Sequence, residues 1–203
     1  MKKCMVSFGA AVVAAGAFAG GAGVRVGALD AQAWDCSKWI SAKDAPVFEG
    51  KVFDGVRAAD GTSWFVFTLK NPAEVVSAKW MTAGLGVYEV YVNGRAVGDD
   101  FLKPGFTHNA KTKYSFTYDV TELLDASADG SNVFAAEVSA GWWRDKICTP
   151  ANNGGGFFGK KSAFRGVLEL VFKDGSRRLY GTDEKTWKAC TSGPVMQIGR
   201  AHV

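Results

Sequence analysis

The stretch "GVYEVYVNGRAVGDD", Gly86 to Asp100, decides how the rest of the chain is read. Tyr88, Val90 and Val92 alternate with Val87, Glu89 and Tyr91. Alternation of period two sends one set of side chains to a buried face and the other outward. Asn93-Gly94 then breaks the pattern. These residue types tolerate the consecutive positive φ angles of a two-residue type I′ turn. The stretch predicts a β-hairpin, followed by the polar run Val97-Gly98-Asp99-Asp100. The hairpin itself reads as scaffold, and any ligand site begins beyond it.

The same alternation recurs along the chain. Phe65, Phe67 and Leu69 alternate with Val66, Thr68 and Lys70, and Tyr114, Phe116 and Tyr118 with Ser115, Thr117 and Asp119. Phe134, Ala136 and Val138 form another set, as do Leu168, Leu170 and Phe172 against Glu169, Val171 and Lys173. Turn pairs fall between them: Asp60-Gly61, Asn71-Pro72, Asn93-Gly94, Asp129-Gly130 and Asp174-Gly175. Short strands, frequent turns and almost no helical periodicity predict an all-β antiparallel sandwich. One helical turn is expected at Asp119–Leu124. There the Asp119 carboxylate would cap the first amides and Glu122 would reach back, which gives Asp119 a structural job rather than a catalytic one.

The chain has 203 residues and a formal charge of +4, half of it in residues 1–33. With no basic run in the remainder, a nucleic-acid partner is not expected. Lys2 and Lys3 precede an apolar run from Met5 to Ala19, with A-x-A patterns at Ala17-Phe18-Ala19 and Ala31-Gln32-Ala33. This is the layout of a secretory signal peptide, and the run is short for a membrane span. An uncleaved N-terminal anchor is the other reading. The expected organisation is a signal peptide and short leader over residues 1–33, then one domain over residues 34–197. The location would be secreted or periplasmic, with no membrane role beyond export. Cys36, Cys148 and Cys190 lie past the leader without a C-x-x-C spacing. They read as unpaired, small, buried side chains rather than as a metal or redox motif.

Several motifs occur together and in order. They are "AGLGVYEVYVNGRAVGDDFLKPGFT", "YSFTYDVTELL", "GSNVFAAEVSAGWW" and "AFRGVLELVFKDGSRRLYGTDEKTWK". Upstream, Trp39-Ile40 and Pro46-Val47-Phe48 fit the same lead-in. The series resembles the N-terminal region of bacterial α-L-rhamnosidases of glycoside hydrolase family 78, over about residues 34–196 as judged by motif order. The resemblance implies an antiparallel jelly-roll, galactose-binding-like β-sandwich that is not itself catalytic. Its implied role is carbohydrate recognition in a secreted rhamnosidase acting on rhamnose-containing glycans. Its implied partner is the C-terminal catalytic domain of the same polypeptide. Two other readings stay open: a purely structural domain packed on the catalytic barrel, and the sugar-binding front domain of a family 2 glycosidase. After Met196-Gln197 the chain ends "IGRAHV", which looks like a translated library adapter. Residues 198–203 are therefore expected to be a non-native tail, which sets His202 aside, on a gene fragment cut before the barrel.

No catalytic residue is assigned. A glycosidase needs two carboxyl groups facing one sugar, and Asp99, Asp100, Glu137, Asp145 and Glu169 sit in no motif that pins such a pair. His108 has no G-x-S-x-G partner, and Gly154-Gly155-Gly156 has no Lys-Ser/Thr after it. Sugar binding is the better proposal. Asp99 and Asp100 are candidate ligands for a sugar, and for calcium, which takes 6–8 oxygens. Some relatives resemble calcium-dependent rhamnose-binding modules, so calcium is a candidate while no cofactor is required. Solvated turn residues are the alternative for both aspartates. Trp142 and Trp143 end a strand, so alternation sends one to the core and the other outward. The outward one would serve as a sugar platform or an interdomain contact.

Overall fold

The computed structural model describes residues 23–43, 62–144 and 158–191. The apolar run to Ala19, Cys4, Pro46-Val47-Phe48, Asp60-Gly61, Asp145, Cys148, Gly154-Gly155-Gly156 and all residues from Ser192 lie outside them.

The alternating segments form two antiparallel sheets. One has the order β1 (Val24–Val26), β6 (Phe116–Asp119), β3 (Val75–Leu85), β8 (Ala163–Phe172), β9 (Arg177–Gly181). The other has the order β10 (Lys188–Cys190), β2 (Ser63–Lys70), β7 (Ser131–Ser139), β4 (Val87–Val92), β5 (Arg95–Ala96). The expected β-sandwich is present. Phe65, Phe67 and Leu69, then Tyr88, Val90 and Val92, then Phe134, Ala136 and Val138 all point inward from the second sheet and are buried. Trp80, Leu168, Leu170 and Phe172 meet them from the first. Trp80 lies edge-on to Phe134 at 5.3 Å between centroids, and Trp187 closes the far side against Phe67 at 5.4 Å. Such offset and edge contacts suit the ring quadrupoles better than a face-to-face sandwich.

The opening hairpin forms as read. Asn93 has φ 50° and Gly94 φ 78°, and β5 returns beside β4 with Val92 opposite Arg95. Asn93 does more than turn the chain. Its Nδ2 donates to the Leu123 carbonyl at 2.9 Å and to Asn132 Oδ1 at 2.8 Å, while its Oδ1 accepts from the Val133 amide at 2.8 Å. Asn132 is fully buried and uses every hydrogen-bonding position it has. Oδ1 also accepts from the Asp125 amide at 2.8 Å, and Nδ2 donates to Asn71 Oδ1 at 3.1 Å and to the Asp125 carbonyl at 3.0 Å. Three turns are thereby joined at one end of the second sheet.

Alternation fails in the first sheet. In β6, Phe116, Thr117 and Tyr118 are all buried, because the outer face of the first sheet is covered too. Ala33, Met81 and Val167 form a second small core there, with Leu29, Trp34 and Leu179 packed on it. The cover is supplied by residues assigned above to the leader. Val24–Val26 pairs with Asp119, Tyr118 and Thr117, and a 3-10 turn runs over Ala31–Cys36. Among the described residues, the stretch from Val24 to Cys36 thus packs on the sandwich. The same cover buries Glu169, whose Oε2 lies 2.6 Å from Arg177 Nε, so it is a structural ion pair rather than a catalytic candidate.

Two smaller expectations are also corrected. Residues Thr121–Leu123 form a 3-10 turn with no side-chain cap at its N-cap residue, Val120. Asp119 still accepts from a first-turn amide as read, that of Thr121 at 3.0 Å, and from the Thr121 hydroxyl at 2.6 Å, in a local Asx-type turn. Cys36 is exposed and Cys190 half-buried, both as free thiols, so neither is a buried core residue. Partial burial pushes the Cys36 thiol up.

Asn132→Ala should cost about 3 kcal/mol, because it strands the Asn71 side chain and the Asp125 amide in a dry site. A Cβ on Gly94 meets nothing within 4 Å, so Gly94→Ala should cost only the positive-φ penalty, about 1 kcal/mol. Urea unfolding of both variants checks the order. The reverse order would show that the turn, not the asparagine network, sets the register.

Candidate functional site

The site residues expected from sequence are set out along one loop. After β5 the chain turns back along the free edge of β4. The Val97 amide donates to the Val90 carbonyl at 2.9 Å, and the Tyr88 amide donates to the Lys103 carbonyl at 2.8 Å. Between those two anchors Asp99 to Leu102 bulge away from the sheet. Phe101 is 75% exposed and Leu102 58%. The loop then carries Phe106, 57% exposed, to the end of the sandwich, where it meets Trp142 edge-on at 6.4 Å.

The two aspartates differ. Asp99 is exposed. Asp100 is partly buried and clasps the two sheets together. Its Oδ2 accepts from the Tyr118 hydroxyl at 2.8 Å, and its Oδ1 lies 3.4 Å from Arg25. Arg25 in turn stacks over the Phe116 ring at 4.2 Å. Burial, and after it this bond to a carboxylate, pushes the Tyr118 phenol up, so it stays a donor. Among the described residues no group of three or more His, Cys, Asp or Glu side chains is arranged to hold a metal ion.

The tryptophans do not continue a strand. Gly141 at φ 45° turns the chain into a four-residue helix, α1 (Gly141–Arg144). A Cβ on Gly141 would run into Val87, so the glycine is required by close approach as well as by φ. Neither ring enters the core, and the expectation of one inward and one outward tryptophan is corrected: both are half-buried. Trp143 is fixed by its Nε1 donating to the Lys161 carbonyl at 2.8 Å, with Lys113 at 5.8 Å over its ring. Trp142 is the one beside Phe106. His108 stacks edge-on against Phe158 at 5.7 Å.

Sequence reasoning missed three participants. Phe101 and Phe106 were legible as aromatics in a loop rich in turn residues, but only the fold shows them turned out to solvent. Lys103 gave no signal, since a lysine in a loop reads as solvated. Its side chain is 1% exposed and its ammonium sits 2.7 Å from Glu89 Oε2. Of the carboxyls once weighed as catalytic, Glu137 faces Glu89 across β4 and β7 and accepts from the Tyr91 hydroxyl at 3.1 Å. Burial pushes both carboxyls up, and Lys103 opposes this at Glu89.

The aspartates' environments separate their mutational effects. Asp100→Ala removes a partly buried charge-assisted bond and should cost about 1.5–3 kcal/mol, whereas Asp99→Ala should stay within about 0.5 kcal/mol of the parent. Equal thermal melts for the two variants would show that the Tyr118 clasp carries no stability.

Comparison with known proteins agrees with this geometry. Residues 73–199 match the family described as "Alpha-L-rhamnosidase N-terminal domain". An alpha-L-rhamnosidase of Formosa agariphila is 35% identical over 130 residues, 64% of this chain and 13% of the relative. One from Streptomyces avermitilis is 34% identical over 170 residues, 80% of this chain and 15% of the relative. Among solved structures, native alpha-L-rhamnosidase from Aspergillus terreus superposes with a TM-score of 0.70 at 26% identity, covering 84% of this chain and 18% of that one. The Streptomyces avermitilis enzyme complexed with L-rhamnose superposes with a TM-score of 0.57 at 30% identity, covering 64% and 12%. The chain thus spans less than a fifth of the length of these relatives. It belongs to the family of alpha-L-rhamnosidase N-terminal domains.

Proposed function

We propose that this domain is a non-catalytic carbohydrate-recognition module of a secreted α-L-rhamnosidase, binding a rhamnose-containing glycan beside a catalytic domain of the same polypeptide. The observation that carries the reading is the ledge made by the exposed Phe106 and the half-buried Trp142, at the far end of the loop that carries the exposed carboxylate of Asp99. Pyranose rings present C–H faces that pack on aromatic rings and hydroxyls that need acceptors, so a ledge with a carboxylate at one side suits them. The relative solved with L-rhamnose supports the sugar class, and the N-terminal signal-type pattern supports export. The non-catalytic part rests on the carboxyl groups: Glu89 is held by Lys103, Glu137 by Tyr91 and Glu169 by Arg177.

The reading requires no metal. The Asp100 carboxylate is held by the Tyr118 hydroxyl, with Arg25 balancing its charge. Calcium stays in the proposal through Asp99, the carboxylate open to solvent. One observation favours a second reading, contact with the rest of the polypeptide. Leu102 is aliphatic, 58% exposed and beside Phe101, and contiguous apolar surface of this kind commonly marks an interface.

Isothermal titration with methyl α-L-rhamnoside, in calcium and in chelator, tests the proposal. The expected result is a Kd on the order of 1 mM, equivalent to about −4 kcal/mol. Trp142→Ala or Phe106→Ala should weaken it about fivefold or more, because a stacked ring is worth ~1 kcal/mol or above. Loss of binding in chelator and in Asp99→Ala would assign calcium there. No heat in either buffer would overturn glycan recognition and leave interdomain contact as the function of the ledge.

A further inference from the structure

Lys103 is an odd residue to find buried. Its side chain is 1% exposed, yet it belongs to a loop whose neighbours Leu102 and Phe106 face solvent. A buried ammonium is unfavourable unless each of its donors finds an acceptor and its charge a partner. Here the requirement is met by groups from three parts of the fold. Glu89 of β4 supplies a carboxylate oxygen at 2.7 Å. The loop itself supplies the carbonyls of Asp100 at 3.2 Å and Val97 at 3.4 Å. The ring of Tyr118, from the opposite sheet, lies 5.7 Å from the nitrogen, within the range of a cation–π contact. Three donors meet three acceptors, and the charge meets a carboxylate and an aromatic face.

Two of those acceptors belong to the loop that carries the ledge, and this sets the loop's shape. Gly98 (φ 75°), Leu102 (φ 55°) and Gly105 (φ 83°) all lie in the left-handed region. A leucine is strained there, and such strain persists only where surrounding contacts over-determine it. The loop curls around the ammonium with the Val97 and Asp100 carbonyls turned in, and the side chains of Asp99, Phe101 and Leu102 are left outside. A Cβ on Gly98 would strike the Tyr118 ring, so the loop backbone packs directly on that ring.

We propose that Lys103 is the positioning residue of the recognition loop. Its ammonium gathers Glu89 and the Val97 and Asp100 carbonyls, and so holds Val97 to Phe106 in the one shape that presents Asp99 and the aromatic ledge to a sugar. The clamp stands on its own geometry, and its effect on sugar binding rests on the glycan reading above. A buried ion pair replaced by neutral side chains of similar volume leaves stability nearly unchanged in many proteins. What the lysine contributes here is a shape.

The test is the double variant Lys103→Met with Glu89→Gln, which strands no charge, beside Glu89→Gln alone, which keeps a hydrogen-bonding group facing the lysine. Native-state hydrogen exchange is measured on each, with titration of methyl α-L-rhamnoside. In the double variant, amides from Asp99 to Gly105 should exchange about tenfold faster or more while those of β2 and β7 keep their protection, the signature of local opening. Affinity should fall about fivefold or more with a melting temperature within a few degrees of the parent. Glu89→Gln alone should lie between. Loop exchange in the double variant within about twofold of the parent would overturn the clamp. Faster loop exchange with unchanged sugar affinity would overturn its positioning role. Loop exchange that rises with no sugar binding by the parent would keep the clamp and reject the glycan reading.

Discussion

Asn132 is the interaction from which the second sheet takes its register. It is fully buried, and its amide donates to Asn71 Oδ1 and the Asp125 carbonyl and accepts from Asn93 Nδ2 and the Asp125 amide. A one-residue slip in a strand with one buried face moves every side chain to the wrong side. Here a slip would also break a saturated network in the core, where an unpaired polar group is costly. With β7 fixed, β4 and β2 follow on either side, and Tyr88, Val90 and Val92 face inward together with Phe65 and Phe67. The loop after β5 then starts from a determined place. Lys103 and Asp100 can reach Glu89, Tyr118 and Arg25 only because that place is fixed.

The site is a consequence of how the open edge of the sandwich is closed. The β4–β5 edge of one sheet faces the β1–β6 edge of the other, and both would leave polar backbone exposed. Arg25 from β1 and Tyr118 from β6 meet Asp100 from the loop, and Lys103 fills the space beneath. Asp100 and Lys103 are drawn inward by this closure, and Phe101, Leu102 and Phe106 remain outside with Asp99. That inversion of the usual pattern makes the loop a candidate for recognition.

Much of the fold was legible in the sequence because most strands have one wet face and one dry one. Where that condition held, in Phe65 to Leu69, Tyr88 to Val92 and Phe134 to Val138, alternation named the core residues. It failed at Thr117 and Glu169, where Leu29, Ala33 and Trp34 make a second dry layer outside the first sheet. That layer was unreadable because the segment supplying it follows a signal-type run and looks like leader. The site was only partly legible. Asp99, Asp100, Trp142 and Trp143 were named as candidates from motif position, and the structure ties Asp100 to Tyr118 and Trp143 to Lys161. Lys103 was invisible, because the burial of a charged side chain depends on partners that sequence spacing does not bring together.

The central claim is that a sugar is met at the loop, at the ledge of Phe106 and Trp142. The most direct measurement is a two-dimensional amide and indole NMR titration of the protein with methyl α-L-rhamnoside. The account predicts saturable shifts confined to Asp99–Phe106 and the Trp142 indole, with the Trp64 and Trp80 indoles unmoved. No shifts up to tens of millimolar sugar, the weak end of specific binding, would contradict it. So would shifts centred on the outer faces of the two sheets.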